Sequence, residues 1–369
     1  MPILILILLL AAQTANAQDT FTGVERVVAL GDVHGDYDAF VAILRDAGVM
    51  DQKSRWSGGK THLVQTGDLL DRGPHSRKVM ELMMTLEKQA AKAGGRVHSL
   101  LGNHEAMNIY GDLRYVSPGE FAAFKTSDSE RVRDAFWEQE SKAMPSPPSA
   151  EVKKKWEAEH PLGWVEHRMQ FGPEGTYGKW LRNKNAIVKI NDSVFLHGGL
   201  SAKYAATSVA QFNAAIRAEL KDVSQLKMDG SILTDPDGPL WYRGLAQDTG
   251  PEILPLAIRL TEANGVKRIV IGHTPTPGAI LPRLGGRVVS IDVGLSAYYG
   301  SHRACLVIEK DQLYAMHRGQ KIEIPLLSLE GGDAPGYLAY VKRVAALEKP
   351  ASPLAKYAAQ VEAQLAGTR

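Results

Sequence analysis

Five short clusters hold many of the side chains that could bind metals or move protons. They are GDVHG at Gly31 to Gly35, GDLLDRG at Gly67 to Gly73, GNHE at Gly102 to Glu105, HGG at His197 to Gly199 and GHT at Gly272 to Thr274. Each follows an apolar run. Taken singly, an Asp or Asn after such a run is an ordinary turn residue, and a lone His is more often a hydrogen-bonded structural residue. Five clusters in order, each at a strand-like end, point instead to one convergent site. Carboxylate, carboxamide and imidazole form a mixed oxygen and nitrogen ligand set suited to Mn, Fe or Zn, with no thiolate required. Asp32 and His34 alternate with Val33, so an extended backbone would turn both toward one ion. Asp68 has two oxygens and can bridge two ions, with Asn103, His197 and His273 completing the second position. Two ions about 3.5–4 Å apart can share a bridging water, lower its pKa toward neutrality and hold phosphoryl oxygens for in-line attack.

The elements that must position these residues are legible from hydrophobic pattern. Arg26 to Leu30, Thr61 to Thr66 and Arg96 to Leu101 stop abruptly at glycine-containing polar clusters and read as buried strands. Asp36 to Ala47 and Ser76 to Lys92 have helical apolar spacing, the second stopping at Gly94-Gly95. The resulting βαβαβ order implies an α/β chain with a mostly parallel sheet, whose reactive residues gather at the carboxyl ends of the strands. Residues 112–184 are richer in charge, aromatics and proline, and are expected to form a mainly helical insertion or cap. Strand-like runs resume at Ala186 to Ile190, Val194 to Leu196, Arg268 to Ile271, Val288 to Ile291 and Ala304 to Ile308. They imply a second sheet, with the later runs as antiparallel neighbours. Lys342 to Ala366 is Ala-rich and helical in character.

Composition narrows the class. The chain has 369 residues, 44% hydrophobic and 23% charged, with 43 basic against 41 acidic side chains. That is a globular balance which gives no reason to propose a nucleic-acid or anionic-membrane partner. Ile3 to Ala12 is an unbroken apolar run leading to Ala15-Asn16-Ala17, although no Lys or Arg precedes it. It reads as a secretory signal peptide over residues 1–17, too short for a permanent anchor, which needs about 20 apolar residues. A periplasmic or secreted protein with no stable membrane anchor after cleavage is the expectation. Cys305 is the single cysteine and lies in an apolar run, so it reads as a buried strand thiol.

The motif series resembles the calcineurin-type metallophosphoesterase superfamily, and within it the phosphoprotein phosphatase family, over roughly Val24 to Ile308. The resemblance implies a metallophosphoesterase-type central β-sandwich flanked by helices, with a helical insertion. Its catalytic domain would span 22–325, followed by a helical tail over 326–369. It further implies that Asp32, His34 and Asp68 bind one metal and that Asp68, Asn103, His197 and His273 bind the other. His104 would protonate the leaving group, oriented by Asp71. An imidazole beside a carboxylate can be held protonated near neutral pH, which suits that task. Arg72 and a second arginine, Arg243 in LWYRG, would bind substrate phosphate oxygens through forked donors, alongside Asn103. Arg77 and Arg283 read as surface charge. The segment from Phe171 to Leu200, LWYRG and GHTP are similar to the Shewanella-like phosphatases. IDVGLSAYYG at Ile291 to Gly300 departs from the eukaryotic serine/threonine enzymes, which puts their regulators and toxin sensitivity in doubt here. The implied activity is hydrolysis of phosphorylated proteins or peptides, on phosphotyrosine, phosphoserine or phosphothreonine, with a metal-bridging hydroxide as nucleophile.

Two rival readings remain at this stage: a hydrolase of a small phosphate compound such as a dinucleoside polyphosphate, and a catalytically weak metal-binding interaction protein. Intact His104, Asp71 and Arg72 argue against the second, because a pure binder would be free to lose them. His75 and His302 stand close enough to the motifs to line a pocket, Tyr298 and Tyr299 could wall the site or pack the last strands, and Glu105 reads as a supporting residue rather than a ligand.

Overall fold

A computed structural model describes residues 18–226, 229–325 and 334–367. The predicted signal peptide and the first residues of the tail lie outside the described residues. Two six-stranded sheets carry the molecule, flanked by helices. In one, β2 (Arg26–Leu30), β3 (His62–Gln65) and β4 (Arg96–Ser99) run parallel. They are joined by α1 (Tyr37–Asp46) and α2 (Ser76–Lys92). The carboxylate of Asp36 caps α1 by accepting from the Ala39 amide at 3.1 Å. The helix buries Phe40, Val41, Ile43 and Leu44, the apolar stripe that its spacing predicts. β10 (Ala304–Glu309) lies antiparallel to β2, and β11 (Gln312–His317) and β12 (Gln320–Glu323) extend the sheet from there by hairpins.

The other sheet has β1 (Thr20–Phe21) at its edge beside β5 (Ile187–Ile190). Next come β6 (Ser193–Leu196), β7 (Arg268–Ile271), β9 (Val288–Ser290) and β8 (Leu281–Arg283). The expectation of antiparallel later strands is corrected in two ways. β9 runs parallel to β7, because β8 intervenes in the chain, reverses direction and makes the antiparallel pair with β9 itself. β10 joins the first sheet, not the second, where its apolar side chains are buried with both edges paired, to β11 and to β2.

After α3 (Asn103–Tyr110), residues 112–184 form α4 (Pro118–Ala122), α5 (Ser129–Lys142), α6 (Ala150–Glu159), α7 (Trp164–Phe171) and α8 (Thr176–Arg182). Trp137 and Trp164 pack there against the rings of Trp156 and Phe136, which makes the aromatics a core for these helices. Between β6 and β7 lie α9 (Val209–Lys221), α10 (Gly244–Gln247) and α11 (Ile253–Ala263). The tail is two helices, α12 (Ala334–Ala345) and α13 (Pro353–Gly367), separated at a proline-containing turn. Tyr340 of α12 donates to the Ile280 carbonyl at 2.7 Å, which ties the tail to the second sheet. Among the described residues no helix is long and apolar enough to cross a membrane. Cys305 is buried in β10, and burial pushes its thiol up to about 12.

Candidate active site

Parallel strands from both sheets end at one place, and the chemistry sits just past their carboxyl ends. Asp32 follows β2, Asp68 follows β3, Asn103 follows β4, His197 follows β6 and His273 follows β7. The two sheets meet there almost backbone to backbone. A Cβ added at Gly31 would lie 2.7 Å from the Cα of Asp292, so only glycine permits the approach. A Cβ at Gly102 would meet the Asp68 carboxylate at 2.2 Å, which explains the glycine of GNHE. His34, Asp68, Asp71, Arg72 and His273 all have positive φ, between 46° and 69°. Such left-handed backbone is costly for these residue types and collects where a site dictates side-chain direction. It also corrects the extended picture of Asp32 to His34. The chain turns at His34, whose amide, like that of Val33, donates to the Asp68 carbonyl. Asp32 and His34 converge through this turn and not through strand alternation.

The hydrogen bonds around the histidines fix which nitrogen is bare. His34 Nδ1 lies 2.9 Å from the Leu70 carbonyl, and His197 Nδ1 lies 3.0 Å from the Thr66 carbonyl. A carbonyl only accepts, so each Nδ1 carries a proton, and in the neutral ring the lone pair is on Nε2. His197 Nε2 then faces Asn103 Oδ1 at 2.9 Å, His273 Nδ1 at 3.0 Å and Asp68 Oδ2 at 3.3 Å. His34 Nε2 faces Oδ2 of both Asp32 and Asp68 at 3.7 Å. Lone pairs aimed at one another across a buried space repel unless a cation lies between them. The donor set therefore fits metal ions, with Asp68 common to both groups. His273 Nε2 is buried and has no hydrogen-bond partner.

The electrostatics agree. Burial pushes His34 down to about 3 and His273 well below its ordinary range, so both imidazoles are neutral ligands. Burial, then Asp292 and Asp68, hold the Asp32 carboxyl well above its ordinary range, an energetic cost that a cation relieves. Burial alone would also raise Asp68, but His197, His104 and His34 outweigh it and hold Asp68 well below the carboxylate range.

His104 is different in kind. It lies close enough to Asp68 and His34 to share their metal geometry, yet its Nδ1 is bound to Asp71 Oδ2 at 2.5 Å. Burial disfavours its charged form, but Asp68, Asp71 and Glu105 prevail and raise its pKa. A raised pKa is the direction that suits an imidazole to give up a proton to a leaving group. The other oxygen of Asp71 accepts from Asn108 Nδ2 at 2.9 Å. Glu105 is a brace: its carboxylate accepts from the amides of Asp68, Leu69 and Gly102 at 2.7–2.8 Å.

Arg72 lies over the rings of Tyr115, Tyr298 and Tyr299 at 4.5, 4.7 and 5.4 Å. Tyr115 packs 5.0 Å from the His104 ring, and Tyr299 5.3 Å from the His34 ring. Arg243 donates to the His273 carbonyl at 2.7 Å and to Thr274 Oγ1 at 3.1 Å, which places it beside the second ligand group. Arg77 pairs with Glu81, and Arg283 donates to the carbonyls of Leu245 and Asp248, outside the centre. His302 does not line the pocket: it is buried behind the Tyr298–Tyr299 loop, its Nδ1 3.4 Å from Glu348.

Two residues escaped the sequence reading. Asp292 is buried beside Asp32, its carboxyl pushed up to about 6 by burial. It follows the apolar run of β9 and stands two positions before a glycine in IDVG, a weaker signal than at Asp32 because no glycine directly precedes it. Tyr115 carried no comparable pattern.

Residues 25–277 match the Calcineurin-like phosphoesterase family, a span that takes in all five clusters. The chain belongs to that family. This calcineurin-like phosphoesterase is 33% identical to an uncharacterized protein of Schizosaccharomyces pombe, covering 81% of this chain and 82% of the relative. It is 30% identical to Shewanella-like protein phosphatase 2 of Arabidopsis thaliana, covering 78% of this chain and 75% of the relative. Among solved structures it is similar to a cold-active protein-tyrosine phosphatase of a psychrophilic Shewanella species. That similarity has 31% identity and a TM-score of 0.66, and covers 84% of this chain and 82% of that one. The calcineurin-like phosphoesterase is thus a metal-dependent phosphoric ester hydrolase, and the sandwich of two mixed sheets is its family architecture.

Proposed function

We propose that the chain is a dinuclear phosphomonoesterase of phosphorylated proteins or peptides, with phosphotyrosine as its favoured side chain. The observation that carries this reading is the aromatic lining on the side of His104 from which a leaving group departs. His104 must face the ester oxygen it protonates, and the group attached to that oxygen then lies near Tyr115 and Tyr298. Tyr298 is 64% exposed, an open ring face beside the phosphate-facing arginine. Aromatic rings favour aromatic partners by about 0.5–1.5 kcal/mol beyond area burial. The similarity to a Shewanella-like protein phosphatase and to a cold-active protein-tyrosine phosphatase supports a protein substrate.

Asp32, His34 and Asp68 would hold one ion and Asp68, Asn103, His197 and His273 the other, each of the Mn, Fe or Zn type. Bound there, such ions supply a nucleophile from water and neutralise phosphoryl charge. The remaining work falls to the chain's own residues. Arg72 and Arg243 orient the phosphate oxygens, Asp71 keeps the His104 ring turned and charged, and His104 Nε2 releases its proton to the departing oxygen. No nucleophilic side chain is needed. Export through the apolar amino-terminal run would place the reaction in the periplasm or outside the cell.

The test is hydrolysis of phosphotyrosyl and phosphothreonyl versions of one peptide, beside a dinucleoside polyphosphate, with Mn²⁺ added to the chain from Gln18 onward. Faster turnover of the tyrosyl peptide is expected. Preferred turnover of the dinucleotide would replace this reading with the small-substrate one, and no turnover of any of the three would point to a binder.

A further inference from the structure

The carboxyl-terminal segment packs behind the loop that carries Tyr298 and Tyr299, away from the metal-ligand groups. Glu348, just past α12, has a side chain only 3% exposed. Its carboxylate accepts from Arg318 Nε at 2.7 Å and Nη2 at 2.8 Å, and lies 3.0 Å from His317 Nε2. Arg318 Nη2 also donates to the Ser301 carbonyl at 3.1 Å. The other neighbour of Glu348 is His302, whose amide donates to the Gly294 carbonyl at 3.1 Å. The His302 ring fills a space between three glycines: a Cβ at Gly278, Gly294 or Gly300 would approach it at 2.6, 3.7 and 2.8 Å. Gly278 belongs to the loop after His273, and Gly294 and Gly300 bracket Tyr298 and Tyr299. On its opposite side this loop is held by the Ala297 amide, which donates to Asp36 Oδ2 at 2.8 Å.

We propose that Glu348 is a positioning residue that fastens loop 294–302 from behind and sets where Tyr298 stands over Arg72 and the arriving substrate. A buried carboxylate that holds a forked arginine and one imidazole, with the His302 ring 3.4 Å away, is a rigid anchor, since removing it leaves Arg318 and His317 unpaired beside the loop. The tail thereby supports the substrate-facing wall from behind. This inference rests on the aromatic reading of the site given above.

A double-mutant cycle tests it, with p-nitrophenyl phosphate as substrate and the metal-loaded chain as enzyme. Glu348→Gln should raise KM about fivefold with kcat changed by less than about twofold, the net size of one ordinary hydrogen bond, because the amide keeps part of the contact. Tyr298→Leu alone should also raise KM. In the Tyr298→Leu background, Glu348→Gln should add less than about twofold, because the ring it positions is gone. Equal effects of Glu348→Gln in both backgrounds, or no effect in either, overturn the proposal. An unchanged KM in Tyr298→Leu removes the aromatic reading first and the positioning role with it. Arg318→Lys, which keeps the charge but loses the fork to Glu348 and the bond to the Ser301 carbonyl, should give the same split and covers the case in which Glu348→Gln does not fold.

Discussion

The two sheets contribute unequally to one site. The sheet built on β2, β3 and β4 supplies Asp32, His34, Asp68, Asp71, Arg72, Asn103 and His104 within 73 consecutive positions. It holds Asp68, the carboxylate common to both ligand groups, and His104 with its partner Asp71, the proposed proton donor and its anchor. The other sheet supplies His197, His273 and Asp292 from strand ends scattered over nearly a hundred positions, together with Arg243 from the segment between β6 and β7. On the proposed reading the first half arranges proton transfer. The second brings two imidazoles, a buried acid and the cation of Arg243, and would close the centre.

That division is open to attack from either side. His104→Asn should lower kcat by about 10²–10⁴-fold, the usual contribution of a positioned acid, while elemental analysis finds the metals still bound. Comparable loss from a residue of the second sheet with full metal content would break the contrast. Asp68→Asn should strip metal from both positions, whereas Asp292→Asn should weaken metal affinity by only about 10–100-fold, the cost of losing an outer partner. Two ions bound normally in Asp68→Asn would remove its bridging role. Chelation of the bound metal should lower the thermal midpoint by several degrees, since a ligand present at about 100 times its Kd stabilises the folded chain by roughly 2.7 kcal/mol. The smallest effect is on pH dependence. His104 acts in its protonated form and its pKa is raised above 6.5, so kcat should decline as pH rises through that higher value. A proton-donor limb that survives in His104→Asn would assign the acid elsewhere.

Much of the first half was legible because its residues obey one rule, an apolar strand followed by glycine and a ligand. The βαβαβ order and the ends of α2 follow from period and stop signals that local sequence contains. The pairing of β10 with β2 does not, because two buried runs 278 positions apart, at Arg26 and Ala304, carry no mark of partnership. Asp292 was readable in principle but was passed over amid the tyrosines that follow it. The turn at His34 was hidden by the alternation rule, which assumes an extended chain where the Asp68 carbonyl in fact captures two successive amides. Tyr115 and Glu348 reach the site only through tertiary packing, from an insertion and from a tail, and no motif announces them.

The close approach of Gly31 to Asp292 has a consequence for how the molecule could be controlled. Because the group of Asp68, His197 and His273 draws on both sheets, catalysis would work as a coincidence detector that registers only when both halves are seated against each other. Any agent that wedges the seam open by the width of a methyl group would silence the enzyme without touching a single metal ligand.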